Sequence, residues 1–109
     1  MLKIEATGNI GKKPELKHSQ QGNGRPYYLF SLAQSQGSDE KKQTNWFTVR
    51  AFIDELSGDL LDKGMRVTVK GKLFINPYKR GDGSDAIEYT ILGDEVRIEP
   101  RREQASQPE

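Results

Sequence analysis

Apolar and polar residues alternate along most of this chain, and each alternation predicts a strand. Leu2, Ile4, Ala6 and Ile10 mark the first, with a break expected at Gly8. Turn chemistry follows over residues 8–14, then a Gly-, Gln- and Ser-rich loop over residues 17–26 that holds His18. The second strand is expected over residues 27–34, with Tyr28, Phe30 and Leu32 on the core side and Tyr27 opposite. A polar loop, residues 35–43, has no apolar anchor and is expected to be mobile. The third strand, residues 44–53, puts Asn45, Phe47, Val49, Ala51 and Ile53 on one face and Thr44, Trp46, Thr48, Arg50 and Phe52 on the other.

The period then changes. Residues 54–63 predict a helix, with Asp54 as N-cap, an apolar stripe of Leu56, Leu60 and Leu61, and Gly64 as C′ residue. Its expected role is a plug at one end of a small sheet. Residues 65–75 return to a period of two. Met65, Val67, Val69, Leu73 and Ile75 share the core face; Arg66, Thr68, Lys70, Lys72 and Phe74 share the other. Gly71 in mid-strand predicts a bend or bulge. A hairpin loop is expected over residues 77–85, and a last strand through Ile87, Tyr89 and Ile91 whose parity shifts at Gly93 and Asp94 before Val96 and Ile98. Residues 100–109 carry too little apolar surface to fold and are expected to be a disordered polar tail. The order β-β-β-α-β-β, over residues 1–99, predicts an all-β domain with one short helix: the five-stranded Greek-key barrel called the OB-fold.

Two of these strands break the usual rule that a water-facing side is polar. Trp46 and Phe52 flank Arg50 on one, and Phe74 follows Lys70 and Lys72 on the other. The hairpin adds Tyr78 beside Lys79 and Arg80. Flat rings interleaved with cations make a surface on which bases stack while phosphates are neutralised. The net charge of +1 conceals this, because acids cluster at Asp54, Glu55, Asp59 and Asp62 and near the end of the chain, whereas residues 65–80 hold Arg66, Lys70, Lys72, Lys79 and Arg80 with no acid among them.

Composition excludes much else. There is no cysteine, so disulfides, thiolate chemistry and Cys-based metal sites are ruled out. The single histidine, His18, has no neighbouring partner for activation or metal binding. Gly71 and Lys72 lack the glycine five positions earlier that a phosphate-binding loop requires. Neither catalysis, nor a cofactor, nor a metal is expected. No apolar run is long enough to span a membrane, and the N-terminus enters a strand pattern directly, so a soluble, cytoplasmic protein is expected. Hydrophobic content of 33% makes a lean core, to which self-association would add stability.

The chain resembles the bacterial single-stranded DNA-binding proteins along about residues 1–98. The landmarks, in order, are residues 8–16 (GNIGKKPEL), 30–33 (FSLA), 44–46 (TNW) with Phe52 beyond, 60–64 (LLDKG) and 67–73 (VTVKGKL). The resemblance implies base stacking by Trp46 and Phe52 and a third stacking ring in the hairpin, where Tyr78 stands in place of a common Trp. It also implies a homo-oligomer, a dimer or a tetramer. Three departures stand out: the loop over residues 35–43 is short and lacks an aromatic, Phe47 replaces the usual His, and the tail lacks the acidic run ending in Pro-Phe. A phage- or mobile-element-encoded form would share these losses. The expected function is sequence-independent binding of single-stranded DNA in replication, recombination or repair. Trp46, Phe52, Phe74 and Tyr78 would stack on bases, and Arg50, Arg66, Lys70, Lys72, Lys79 and Arg80 would track phosphates. The alternative is a primosome-like protein-interaction subunit whose aromatic face is an assembly interface.

Overall fold

A computed structural model describes residues 1–18, 24–36 and 43–99. The mobile loop and the disordered tail expected from the sequence fall largely or wholly outside those residues. The elements are β1 (Leu2–Ile10), β2 (Glu15–His18), β3 (Pro26–Gln36), β4 (Gln43–Ala51), α1 (Glu55–Asp59), β5 (Arg66–Lys79) and β6 (Asp85–Ile98). They form a sheet of order β1-β5-β6-β4-β3-β2, and a further pairing of β1 with β3 closes β1, β5, β6, β4 and β3 into a ring. All the pairings are antiparallel except β4 with β6. This ring, with its helix between β4 and β5, is the OB-fold.

The core sits where the alternation places it. Ile10, Leu32, Val49, Leu61, Val67, Val69 and Ile91 are essentially inaccessible to water. Burying each such side chain contributes about 1.5–3 kcal/mol.

Several elements depart from expectation. β1 does not break at Gly8 but runs through it, because the missing side chain lets β3 close in: a Cβ there would lie 2.4 Å from the Ala33 carbonyl oxygen. β2 forms inside the expected turn and loop, and it carries His18. All its side chains are exposed, so it is held by backbone pairing to β3 and leaves no apolar pattern. The two strands of the hairpin extend to Lys79 and from Asp85, leaving a turn only over residues 80–84.

The helix is shorter than its pattern suggests. Asp54 caps it by accepting from the Ser57 N–H at 2.7 Å, and this hydrogen bond lowers the Asp54 carboxyl below its ordinary pKa. The helix ends at Asp59 with Leu60 as C-cap, so Gly64, at φ +85°, belongs to a later turn. Leu56 and Leu60 are 83% and 66% exposed, and of the expected stripe only Leu61 reaches the core. What seats the helix is Gly58, buried against the Tyr28 ring. The Tyr28 hydroxyl donates to Asp59 Oδ1 at 3.2 Å. Burial and the neighbouring Asp59 carboxylate raise the Tyr28 pKa.

At Gly71 the expected bulge is present. Lys70 pairs with Glu95 and Gly71 with Gly93, so Asp94 is the extra residue. This explains the parity shift in β6. Beyond it, β5 and β6 continue as a two-stranded arm past the end of the ring, which is why Ile75 and Ile87 share the core parity yet are exposed.

Candidate nucleic-acid interface

Strand register carries the outward positions of β3, β4, β5 and β6 onto one continuous face. Lys72 pairs with Leu92, Leu92 with Arg50 and Arg50 with Leu29. The next outward row is Phe74, Thr90, Thr48 and Ser31. Trp46 lies two residues before Thr48 on the same side, and Tyr78 stands farther along the arm, opposite Ala86. Trp46, Phe74 and Tyr78 are 57%, 45% and 49% exposed, an unusual allowance for large rings in a protein with few of them.

Trp46 stands over Gly11 and Ser31; a Cβ on Gly11 would come within 3.1 Å of the indole. Between β4 and the arm lies a cleft of about 490 Å³ lined by Ser31, Trp46, Phe47, Asn76, Tyr78 and Tyr89, among others. Trp46 and Tyr78 therefore face one space although they are distant in sequence. Glu88 also reaches this cleft, where its carboxylate accepts from Thr48 Oγ1 at 3.3 Å.

At the other end of the face, Phe52 is half-buried and its ring meets Tyr27 at 5.5 Å between centroids. The Arg25 guanidinium lies 4.6 Å from the Phe52 centroid, and that of Arg50 lies 5.7 Å from Tyr27. Both distances fall within the range of cation–π attraction. Sequence reasoning placed Tyr27 off the core face but did not join it to Phe52, and it omitted Arg25. The signal available was parity: Tyr27 and Arg50 are outward on paired strands.

The expected cations do not form one group. Arg50 and Lys72 share the aromatic face. Lys79 is held by Asp85 at 2.7 Å, and Arg80 donates to Ser84 Oγ and to the Asp85 carbonyl across the turn. Lys70 lies on the far side of the bulge, 3.9 Å from Glu95. There it borders a network in which Arg97 contacts Glu5, Glu95 and Glu99. Arg66, at the opposite end of β5 from Tyr78, is close enough to Glu99 to help stabilise that carboxylate. Thr68, expected to face water, is buried instead. Its hydroxyl lies 2.7 Å from that of Thr7 and donates to Glu99 at 2.7 Å. That hydrogen bond, followed by one from Arg97, lowers the Glu99 pKa. The bulge thus divides β5 into a half that borders the Arg97 network and a half with aromatics.

Residues 1–99 match the sequence model of the Single-strand binding protein family. The single-stranded DNA-binding protein of Xanthomonas axonopodis pv. citri (strain 306) is 27% identical over 101 residues, covering 88% of this chain and 56% of that protein. That of Neisseria meningitidis serogroup A is 25% identical over 103 residues, covering 88% and 58%. The chain thus spans less than two thirds of the length of these curated relatives. Among solved structures, the small single-stranded DNA-binding protein from Streptomyces coelicolor superposes with a TM-score of 0.70 at 25% identity, over 90% of this chain and 94% of that one. The Plasmodium falciparum SSB complex with ssDNA gives a TM-score of 0.65 at 23% identity, over 92% and 96%.

Proposed function

We propose that this chain, which belongs to the single-strand binding protein family, binds single-stranded DNA with little sequence preference and shields it during replication, recombination or repair. The observation that carries the reading is the single sheet face on which Trp46, Phe74, Tyr78 and the Tyr27–Phe52 pair surround Arg50 and Lys72. Each ring that stacks on a base contributes about 1–3 kcal/mol. Every base has a π-face, so stacking alone reads no sequence. Arg50 and Lys72 neutralise phosphates between the stacked bases; Arg80 adds to this at the arm tip. The role is binding without turnover, carried by residues 1–99, and it needs no cofactor.

The test uses the only tryptophan as its reporter. Titration with oligo-dT is expected to quench Trp46 emission strongly. Log affinity should fall with log salt at about 0.7 per phosphate contact. An unchanged emission up to micromolar DNA would reject Trp46 as a stacking platform.

The same reading includes self-association, through a strip of core-parity residues that borders the cleft of Trp46 and Tyr78. Phe47, Ile75, Ile87 and Tyr89 are core-parity residues left partly or wholly exposed beyond the ring, with Phe47 and Tyr89 in edge contact at 6.1 Å. A second copy covers this strip, which also lines the cleft of Trp46 and Tyr78 through Phe47, Ile87 and Tyr89, so assembly and binding meet at that cleft. Light scattering should give a mass at least twice the 12.3 kDa of one chain; a monomeric mass would remove this part of the reading. Among the described residues no helix is long and apolar enough to cross a membrane.

A further inference from the structure

The β1–β5 ladder contains one row that works against folding. On the outward side its pairs are Asn9 with Arg66, Thr7 with Thr68, Glu5 with Lys70, and Lys3 with Lys72. The first three are polar or opposite in charge. The fourth sets two ammonium groups on directly opposed residues, where like charges destabilise a sheet. Both side chains are exposed. Neither forms an ion pair among the described residues, whereas Lys17, Lys70 and Lys79 each do.

The row does not stop there. Lys72 pairs with Leu92 and Leu92 with Arg50, so the cations Lys3, Lys72 and Arg50 lie along one line across β1, β5, β6 and β4. Arg50 likewise forms no ion pair among the described residues. Phe74 stands two residues beyond Lys72 on the same face. Local rules are broken mainly at functional or strained sites. The ligand that fits uncompensated cations in line beside an exposed ring is a chain of phosphodiesters.

We propose that Lys3 and Lys72 form a phosphate subsite that carries the single strand off the aromatic face and across the first strand, β1. The proposal rests on the reading of this face as a binding surface for single-stranded DNA. With a phosphate between them the two ammonium groups stabilise one another's position; without it they repel. The N-terminal strand, which has no aromatic or cationic motif of its own, thereby becomes part of the site.

The experiment compares the full chain with Lys3→Gln and Lys3→Glu. Lys3→Glu places a carboxylate opposite Lys72. It is expected to raise the melting temperature in low salt, with the gain lost in high salt as screening removes the repulsion it relieves. The same substitution should weaken oligo-dT binding. The log–log salt slope should become shallower by about 0.7 for Lys3→Gln and by about 1.4 for Lys3→Glu, which also occupies Lys72. Quenching of Trp46 at saturation should be unchanged, because the stack is intact. If wild type binds oligo-dT and Lys3→Gln keeps its affinity and slope, the subsite is wrong and the aromatic face stands. A Lys3→Glu melting temperature no higher than wild type in low salt also overturns it. If wild type itself fails to bind oligo-dT, the reading of the whole face falls first.

Discussion

Replacing Trp46 by alanine is expected to weaken oligo-dT binding by about 1–3 kcal/mol, roughly 5- to 150-fold, while leaving the melting temperature nearly unchanged. The two halves of this expectation have one cause. Trp46 is 57% exposed, so little of its area is removed from water on folding, and its loss leaves no cavity in the core. Its value lies in what the free face can cover. The indole lies beside Gly11, and it opens onto the cleft that Tyr78 lines from the arm. A base entering there meets rings from two elements held by the same sheet. Because the variant loses its intrinsic reporter, anisotropy of a fluorescein-labelled oligo-dT is the measurement. Trp46→Phe should recover most of the affinity, since it keeps a stacking face. A Trp46→Ala protein that binds as wild type but melts well below it would show that the ring is structural.

Gly71→Ala should do the opposite, damaging the fold and not the site chemistry. A Cβ at position 71 would fall 2.0 Å from the Leu92 carbonyl oxygen and 2.8 Å from Gly93 Cα. These are backbone atoms, so no rotamer change relieves the clash. The bulge between Lys70 and Gly71 must open, and with it the longest strand pair, β5 with β6. Overpacking of this kind costs about 1–3 kcal/mol where side chains yield and more where backbone must move. At about 3 kcal/mol, in a domain of this size, the melting temperature falls by about 12 °C or more. Thermal denaturation followed by circular dichroism measures it. A fall of only a few degrees would mean the β5–β6 ladder can slip its register without loss. Gly81 is the control, since a Cβ there meets nothing within 4 Å.

The period-two alternation by itself determined five strands, the core set around Phe30, Val49, Val69 and Ile91 and the unusual placement of Trp46, Arg50, Phe52, Lys72 and Phe74 opposite that core, and a glycine in mid-strand marked the bulge at Gly71. The alternation could do so because side-chain direction in a strand depends only on position along the strand. The helix was less legible. Leu56 and Leu60 have helical spacing, but a five-residue helix seated by Gly58 on Tyr28 has no use for a stripe. β2 was not legible, because an exposed edge strand is held by backbone hydrogen bonds that leave no mark in side-chain chemistry.

Which outward residues meet was decided by the tertiary structure alone. Register across the ring joined Tyr27 and Arg25 to Phe52, brought Tyr78 and Trp46 to one cleft, and set Lys3 against Lys72. It also drew Lys70 and Lys79 to carboxylates, although both belong to the basic segment that the sequence displays most openly. The reason is physical: a charge or a ring acquires its role from what stands beside it within a few ångströms. In a sheet those neighbours come from strands tens of residues away, at a register that the alternation within any one strand does not encode.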